Sequence, residues 1–324
     1  MLRTQICDLL GIEHPIINAP MAGTATAVLA AAVSEAGGFG MIGAGLSTDP
    51  SWVREQIQRA RELTSRPFGV GFISSGLGLE KVITAVLDEK VAAVSHSFAD
   101  PTPFIREAHA AGVKVLAQVQ TMADARSAVD ARADIITAQG SEAGGHTGLL
   151  GTMSFVAAVL DIADHIPVVA SGGIADGRGL AAALMLGADA VWIGTRFVAS
   201  KEWAGDEWIK ERVVSVTADD TILTKIYDLA TNAPFPLTVG DRVLRNDFTD
   251  TWHGRETELL ARRGELQEEI ATASAAKDAN IAPVRAGSAS GLISSIESAG
   301  DIVRQIVSEA EQVLRNRPKG LLGG

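Results

Sequence analysis

The sequence contains little of what marks secreted, membrane-spanning or nucleic-acid-binding proteins. Its single cysteine, Cys7, cannot form an intramolecular disulfide, which excludes a cross-linked extracellular framework and favours a reducing compartment. No stretch of about 18 uncharged apolar residues occurs, and the first eight residues lack the pattern of an export signal. We therefore expect a cytoplasmic protein with no membrane partner.

Positive charge is scarce as well. The chain has 28 Lys and Arg residues against 39 Asp and Glu residues, a formal net charge of -11, and no run rich in Lys or Arg. A partner with a phosphate backbone is therefore not expected, which argues against nucleic acid as a partner. By contrast, 324 residues with 47% hydrophobic content can bury a large core, in one α/β barrel or in two ordinary domains.

An alternation of short apolar runs and longer stretches of helical period fills the first 200 residues. The short runs are predicted as strands at residues 15–18, 39–42, 68–72, 92–95, 113–118, 134–138, 167–170 and 190–193. Right-handed β-α-β connections arrange such units either in an open doubly wound sheet or in a closed barrel, and eight repeats favour the barrel. The predicted fold class is α/β, a (βα)8 TIM barrel.

The alternation stops after Ser200. Residues 201 to about 280 are richer in charge and contain Trp203, Trp208 and Trp252, and residues 255–276 have a strong helical character. We predict a helical insertion after the eighth strand, over residues 201–280, that covers the barrel mouth. Residues 290–314 predict a closing amphipathic helix, so that the barrel domain comprises residues 1–200 and 281–324.

Two glycine-rich turns follow the seventh and eighth predicted strands, at residues 171–174 and 194–196. In barrels of this kind the backbone N–H groups after these strands gather a phosphate, although two turns without a ligand remain the alternative. Residues 38–43 match G-x-G-x-x-G, but these glycines lead from a helix into a strand, the reverse of the order in a dinucleotide-binding fold.

Two histidines follow predicted strands and are therefore expected at the barrel mouth. His96 ends the fourth strand, and His146 lies in the loop 137–149, which contains four glycines. An imidazole with a pKa of about 6.5 suits proton transfer and simple hydrogen bonding equally, so both roles stay open at this point. None of the six histidines shows the spacing of a metal site, and we predict no metal.

Taken together, these motifs resemble those of the FMN-dependent nitronate monooxygenases, formerly called 2-nitropropane dioxygenases. The matching pieces are spread over about two thirds of the chain in the family's order, and the E-A-G-G-H piece is the most specific. They are HPI at 14–16, APMAG at 19–23, RPFGV at 66–70, AQGSEAGGHTG at 138–148, ASGGIADGRG at 170–179 and GTRF at 194–197, with AG at 286–287 and GLI at 291–293.

The resemblance implies an FMN in the barrel mouth and His146 as the catalytic residue beside it. The phosphate would lie on the loops after strands seven and eight, and the ring over the loop after strand one. The implied cofactor-binding residues are Ala19, Pro20, Met21, Ala22, Gln118, Gly145, Ser171, Gly172, Gly173, Gly194 and Thr195. One departure is Gly71, where the family often has Asn or Gln. A hydrogen bond to the flavin edge is therefore either missing or supplied by Ser74 or Ser75, which leaves redox tuning and the exact substrate open.

The activity implied by the resemblance is oxidation of an alkyl nitronate by O2 to a carbonyl compound and nitrite, with a small-molecule substrate. The same motifs occur in FMN-dependent enoyl-acyl-carrier-protein reductases and in NADH:quinone reductases, so an NADH-dependent reductase is the alternative. A cofactor-free phosphosugar isomerase or lyase and a non-catalytic flavin-binding protein are further alternatives. The sequence does not decide between NADH and nitronate as reductant, and it leaves homo-oligomerisation open.

Overall fold

The computed structural model describes residues 2–75 and 78–322, and eleven strands lie in this part of the chain. Eight form one parallel sheet and three form a small antiparallel sheet. The strands are β1 (Ile16–Asn18), β2 (Gly40–Ala44), β3 (Phe68–Ile73), β4 (Ala93–Ser97), β5 (Lys114–Val119), β6 (Ile135–Gln139), β7 (Gly145–Thr147), β8 (Val168–Ser171), β9 (Ala190–Ile193), β10 (Thr221–Thr224) and β11 (Gly240–Leu244).

The parallel sheet is a barrel. Its strand order is β1-β9-β8-β6-β5-β4-β3-β2, and a parallel bridge between Ile17 and Phe39 joins the two ends of this order. All eight predicted strands are present, each within two residues of its expected bounds. The predicted (βα)8 barrel is therefore confirmed, and its strands point their carboxyl ends to one common mouth.

Helices follow the barrel strands and continue through the rest of the chain. They are α1 (Gln5–Leu10), α2 (Ala27–Glu35), α3 (Pro50–Leu63), α4 (Glu80–Asp88), α5 (Thr102–Ala110), α6 (Met122–Asp130), α7 (Thr152–Leu160), α8 (Gly177–Leu186), α9 (Thr195–Val198), α10 (Glu207–Val214), α11 (Ile226–Thr231), α12 (Asp247–Trp252), α13 (Glu256–Ala261), α14 (Arg263–Ala276) and α15 (Ala299–Leu322). Within the described residues, none of them is long and apolar enough to span a membrane.

Local sequence signals set several helix ends. The Asp176 side chain accepts hydrogen bonds from the backbone N–H groups of Arg178 and Gly179 and so caps α8, whose other end is closed by Gly187 with φ 112°. The expected closing helix begins later than predicted, at Ala299, because residues 288–292 form a short 3-10 turn. This helix packs on α8 and α2 and so seals the barrel's outer layer.

The barrel interior is filled by side chains from alternate strand positions, and helix α1 packs against one end of this filling. Leu10 and Ile6 of α1 join the buried interior cluster that contains Phe39, Met41 and Trp192. Cys7 belongs to the same cluster and is 2% exposed, as expected for a small apolar residue. Helix α1 itself was not predicted, since six residues carry too little periodicity.

The segment after the eighth barrel strand contains strands as well as the expected helices. Strands β10 and β11 pair antiparallel, and β11 also pairs with β7, which precedes α7 in the barrel part of the chain. Both strands have at most five residues, and β7 lies far away in sequence, so hydrophobic periodicity did not reveal them. Helices α11 to α14 cover this sheet with a separate apolar cluster that includes Tyr227, Phe248 and Trp252.

His96 lies inside the protein and not at the mouth. Its side chain at the end of β4 is stacked on Phe104 and tilted against Phe72, and the residue is 1% exposed. Nδ1 lies 2.9 Å from Ser74 Oγ, whereas Nε2 has no hydrogen-bond partner among the described residues. Burial lowers the pKa of His96 from 6.5 to about 4, so the ring is a neutral structural group at neutral pH.

This burial predicts an acid-sensitive contribution to stability. Between pH 6.5 and about 4 the unfolded chain binds a proton at His96 that the folded chain does not bind. The free energy of unfolding therefore falls as the pH falls through this window, by about 1.4 kcal/mol per pH unit and roughly 3 kcal/mol in total. Above pH 6.5 both states are neutral and the contribution is constant.

Urea denaturation across pH 4.5 to 7 measures this contribution, for wild type and for His96→Gln. The variant should show a flatter dependence of the unfolding free energy on pH. His165→Gln is the matched control because the His165 side chain is 93% exposed, and its slope should equal that of the wild type. Equal slopes for His96→Gln and wild type would contradict the assignment.

Candidate active site

A cavity of about 730 Å³ opens at the carboxyl ends of the barrel strands. Its volume falls in the usual range for a bound cofactor together with a small ligand. The structure brings all of the predicted site residues into its wall. These are Ala19, Pro20, Met21, Ala22, Gln118, Gly145, His146, Ser171, Gly172, Gly173, Gly194 and Thr195.

The turn after β8 fits a phosphate group. Gly172 has φ 107° and Gly173 has φ 73°, two consecutive conformations that favour glycine. A Cβ on Gly172 would lie 2.7 Å from Thr152 Oγ1, so the turn also needs glycine for packing. Within the described residues, the backbone N–H groups of Gly173, Ile174 and Thr195 donate to no protein acceptor. Free N–H groups converging from such turns are typical of anion sites.

Gln118 presents an amide to the same cavity. It ends β5, is 8% exposed, and its side chain has no hydrogen-bond partner in the part of the chain that the structure describes. A buried amide normally has partners, so this one is suited to a cofactor edge. Neighbouring Gln139 differs, because it donates to the carbonyl of His146 and accepts from Gln120.

Gly71 allows close packing behind the cavity wall. A Cβ at this position would lie 2.3 Å from Cγ of Pro20 and 2.5 Å from Oγ of Ser95. An Asn or Gln would therefore not fit without displacing the loop that begins at Ala19. Neither Ser74 nor Ser75 lines the cavity. The Ser74 hydroxyl is hydrogen-bonded to His96, and the Ser75 hydroxyl is buried without a partner among the described residues.

The imidazole of His146 is fixed from several sides. It lies on β7, and not in an irregular loop as expected, and its side chain is 10% exposed. Nε2 is 2.8 Å from Oδ1 of Asp228, and Phe235 stacks on the ring at a centroid distance of 3.4 Å. The described residues provide no hydrogen-bond partner for Nδ1. An acceptor at Nε2 holds the tautomer whose Nδ1 can take a proton, and stabilises the positive charge that then forms.

Phe98 adds a second aromatic wall at the cost of backbone strain. Its φ is 67°, in the left-handed region that bulky residues avoid, at a cost of about 1–3 kcal/mol. Its ring meets His146 edge-on at 6.0 Å and Phe235 at 5.4 Å. The strained conformation therefore places an aromatic ring against the imidazole, and such strain is typical of functional sites.

Three charged residues beside His146 were not found from the sequence. Asp228 comes from α11, Asp241 from β11, and Arg285 from the segment before α15. Ligand atoms of His146, Asp228 and Asp241 lie within 4.8 Å of one another, close enough for a metal ion. However, Asp228 already bonds His146, and Asp241 is paired with the Arg285 guanidinium. Because these acidic groups are already paired, the arrangement suits proton transfer and anion binding better than it suits metal binding.

Comparison with known proteins identifies relatives along the whole chain. A family model described as "Nitronate monooxygenase" matches residues 3–81 and 72–309. A "Probable nitronate monooxygenase" of Staphylococcus haemolyticus is 34% identical, with 69% of this chain and 76% of that protein covered.

Two solved structures share the fold over nearly the full length. FabK from Thermotoga maritima has a TM-score of 0.89 at 37% identity, covering 99% of this chain and 100% of its own. The nitroalkane oxidase from Streptomyces ansochromogenes has a TM-score of 0.83 at 29% identity, covering 97% and 99%. These similarities support a flavin cofactor.

The fit of the β8 turn to a phosphate predicts that Gly173→Ala weakens flavin retention. A side chain at φ 73° is strained, and its Cβ would lie 3.3 Å from Cβ of Glu142, so the turn has to shift. Losing one charge-assisted hydrogen bond weakens binding by about tenfold or more. The measurement is the visible flavin absorption of the purified protein relative to its protein absorption, followed during dialysis.

Gly112→Ala is the matched control. Gly112 has φ 75°, and nothing lies within 4 Å of its added Cβ. Both variants should lose about 1–2 kcal/mol of stability through the left-handed backbone, but only Gly173→Ala should lose flavin. Equal flavin retention in the two variants would show that the turn does not hold the phosphate.

Proposed function

The chain belongs to the nitronate monooxygenase family, and from that premise we propose that it is an FMN enzyme that oxidises alkyl nitronates with O2. The products are a carbonyl compound and nitrite. The family match and the structural neighbours support a flavin-dependent oxidoreductase, and they give no support to the isomerase, lyase and non-catalytic alternatives.

The observation that carries the proposal is the imidazole of His146, held at the cavity by Asp228, with no partner for Nδ1 among the residues that the structure describes. A nitronate is a planar anion, and its neutral parent nitroalkane carries an acidic C–H next to the nitro group. An imidazole in this position can take the proton from the neutral form at Nδ1, and once protonated it can donate a hydrogen bond to the anion. Asp228 acts through His146 and is a positioning residue.

The cavity has groups suited to both the phosphate and the ring of FMN. The N–H groups after β8 and β9 that donate to no acceptor among the described residues would hold its phosphate, and the amide of Gln118 would hydrogen-bond to its ring. When bound, the flavin supplies the electron transfer between substrate and O2. The protein orients the substrate against it, and Phe98 and Phe235 keep water from the imidazole.

A second candidate, an NADH-dependent reductase, is favoured by the similarity to FabK at 37% identity over the full chain. In that reaction the electrons come from NADH, and His146 donates a proton to the reduced substrate. Both candidates use the same flavin and the same imidazole. They differ in the compound that reduces the flavin.

Anaerobic mixing in a stopped-flow instrument separates the two candidates. We expect an alkyl nitronate to bleach the flavin rapidly, and NADH to bleach it slowly or not at all. Admission of O2 should then restore the absorption, with nitrite released. Fast bleaching by NADH together with no response to nitronate would overturn the proposal in favour of the reductase.

Substitutions at the imidazole and its partner test their roles. His146→Ala should retain flavin and lose turnover by a factor on the order of 10² to 10⁴. Asp228→Asn keeps an acceptor for Nε2, so it should retain more activity than Asp228→Ala at equal flavin content. Asp250→Asn, at an exposed carboxylate paired with Arg245, should leave turnover unchanged. Full turnover in His146→Ala would rule out the proposed role.

A further inference from the structure

An ion pair next to His146 has one buried and one exposed member. The Asp241 side chain is 0% exposed, whereas that of Arg285 is 47% exposed and lines the cavity. Nε of Arg285 lies 3.2 and 3.1 Å from the two Asp241 carboxylate oxygens, and Nη2 lies 3.0 Å from Oδ2. The carboxylate thus anchors the guanidinium along one edge.

The other edge of the guanidinium is uncommitted. Arginine has five N–H donors in a planar fork, and Asp241 occupies only the edge formed by Nε and Nη2. In the part of the chain that the structure describes, Nη1 has no hydrogen-bond partner. The edge formed by Nη1 and Nη2 has the spacing that binds two oxygens of one planar anion.

Strand pairing places this edge at the reactive end of the cavity. Asp241 lies directly opposite His146 in the β7–β11 register, and their polar atoms are within 4.8 Å. The Arg285 chain crosses Gly145, since a Cβ there would lie 3.6 Å from Cδ of Arg285. The guanidinium is therefore beside the imidazole, whereas the free N–H groups for the phosphate belong to the turns after β8 and β9.

The charges around the cavity leave Arg285 as its source of positive charge. Among the described lining residues it is the only Lys or Arg. The lining carboxylates already have partners: Glu142 accepts from Thr152, Asp206 from Lys277, and Asp228 pairs with His146. The charge of Asp241 raises the pKa of Arg285, so the guanidinium stays protonated.

We propose that Arg285 is a specificity-determining residue whose free edge binds a planar, two-oxygen anion, such as a nitronate or carboxylate, beside His146. A neutral enone or quinone would leave this cation without a counter-ion, so the site selects anions. The identity of the anion as a nitronate rests on the proposed function, whereas anion binding by Arg285 does not.

Binding of an unreactive ligand pair tests the inference on the flavin-loaded protein. Propionate and propionamide have the same shape and differ in charge, and their binding is followed by perturbation of the oxidised flavin spectrum at constant ionic strength. We expect propionate to bind wild type at least about tenfold more tightly than propionamide does. This readout requires no turnover, so failure of nitronate oxidation would leave it intact.

The variants are chosen so that Asp241 is not left as a lone buried charge. The double variant Arg285→Met, Asp241→Asn removes both charges and should lose the preference for propionate, with about 10- to 100-fold weaker propionate binding. Arg285→Lys keeps the charge but has no fork, so it should lose most of that affinity. Arg245→Met is the matched control, because the Arg245 side chain is 48% exposed and pairs with Asp250 away from the cavity.

Three results would overturn the inference. Unchanged propionate affinity in the double variant would show that Arg285 does not bind the anion. Equal binding of propionate and propionamide to wild type would show that the site does not select charge. Loss of FMN in the double variant, with anion binding restored when FMN is added in excess, would assign Arg285 to the cofactor phosphate.

Discussion

The antiparallel pairing of β7 with β11 is the interaction on which the site depends. It joins three residues of the loop after β6 to the segment after the barrel, with Gly145, His146 and Thr147 opposite Arg242, Asp241 and Gly240. Side chains on a strand alternate between faces, so this register puts His146 and Asp241 on the same face. A slip by one residue would turn one of them away and separate the imidazole from Asp241.

The two glycines of the E-A-G-G-H motif are needed for different reasons, Gly144 for close packing and Gly145 for its φ of 74°. A Cβ on Gly144 would lie 2.5 Å from the backbone nitrogen of Gly287, and a Cβ on Gly287 would lie 2.5 Å from the carbonyl oxygen of Glu142. Glu142 Oε2 accepts from the backbone N–H and the hydroxyl of Thr152 and ties the loop to α7. Glu142 and Gly144 therefore fix the motif against two other segments of the chain.

Sequence reasoning reached the parts of the molecule that local patterns encode. The strand and helix periods predicted the barrel. The cavity wall, including Gln118 and Ser171, was predicted from the family resemblance and from the rule that ligands bind at the carboxyl ends of barrel strands. It missed Asp241 because this residue reaches His146 through the pairing of short strands far apart in sequence. It missed Asp228 and Arg285 because they lie on a helix and a bridge next to these strands. It misjudged His96 because a strand end does not tell which way a side chain points, and this one points into the core.

The Asp241–Arg285 pair connects the stability of the fold to the charge of the site. A carboxylate that is 0% exposed is tolerated only with a counter-ion, and removing one partner of such a pair typically costs about 3–5 kcal/mol. The folded state therefore requires the Asp241–Arg285 pair, and Asp241 holds the guanidinium in place whether or not a ligand is bound. A cation fixed in this way pays little reorganisation when an anion arrives, which is the physical basis for selecting anions at a preformed site.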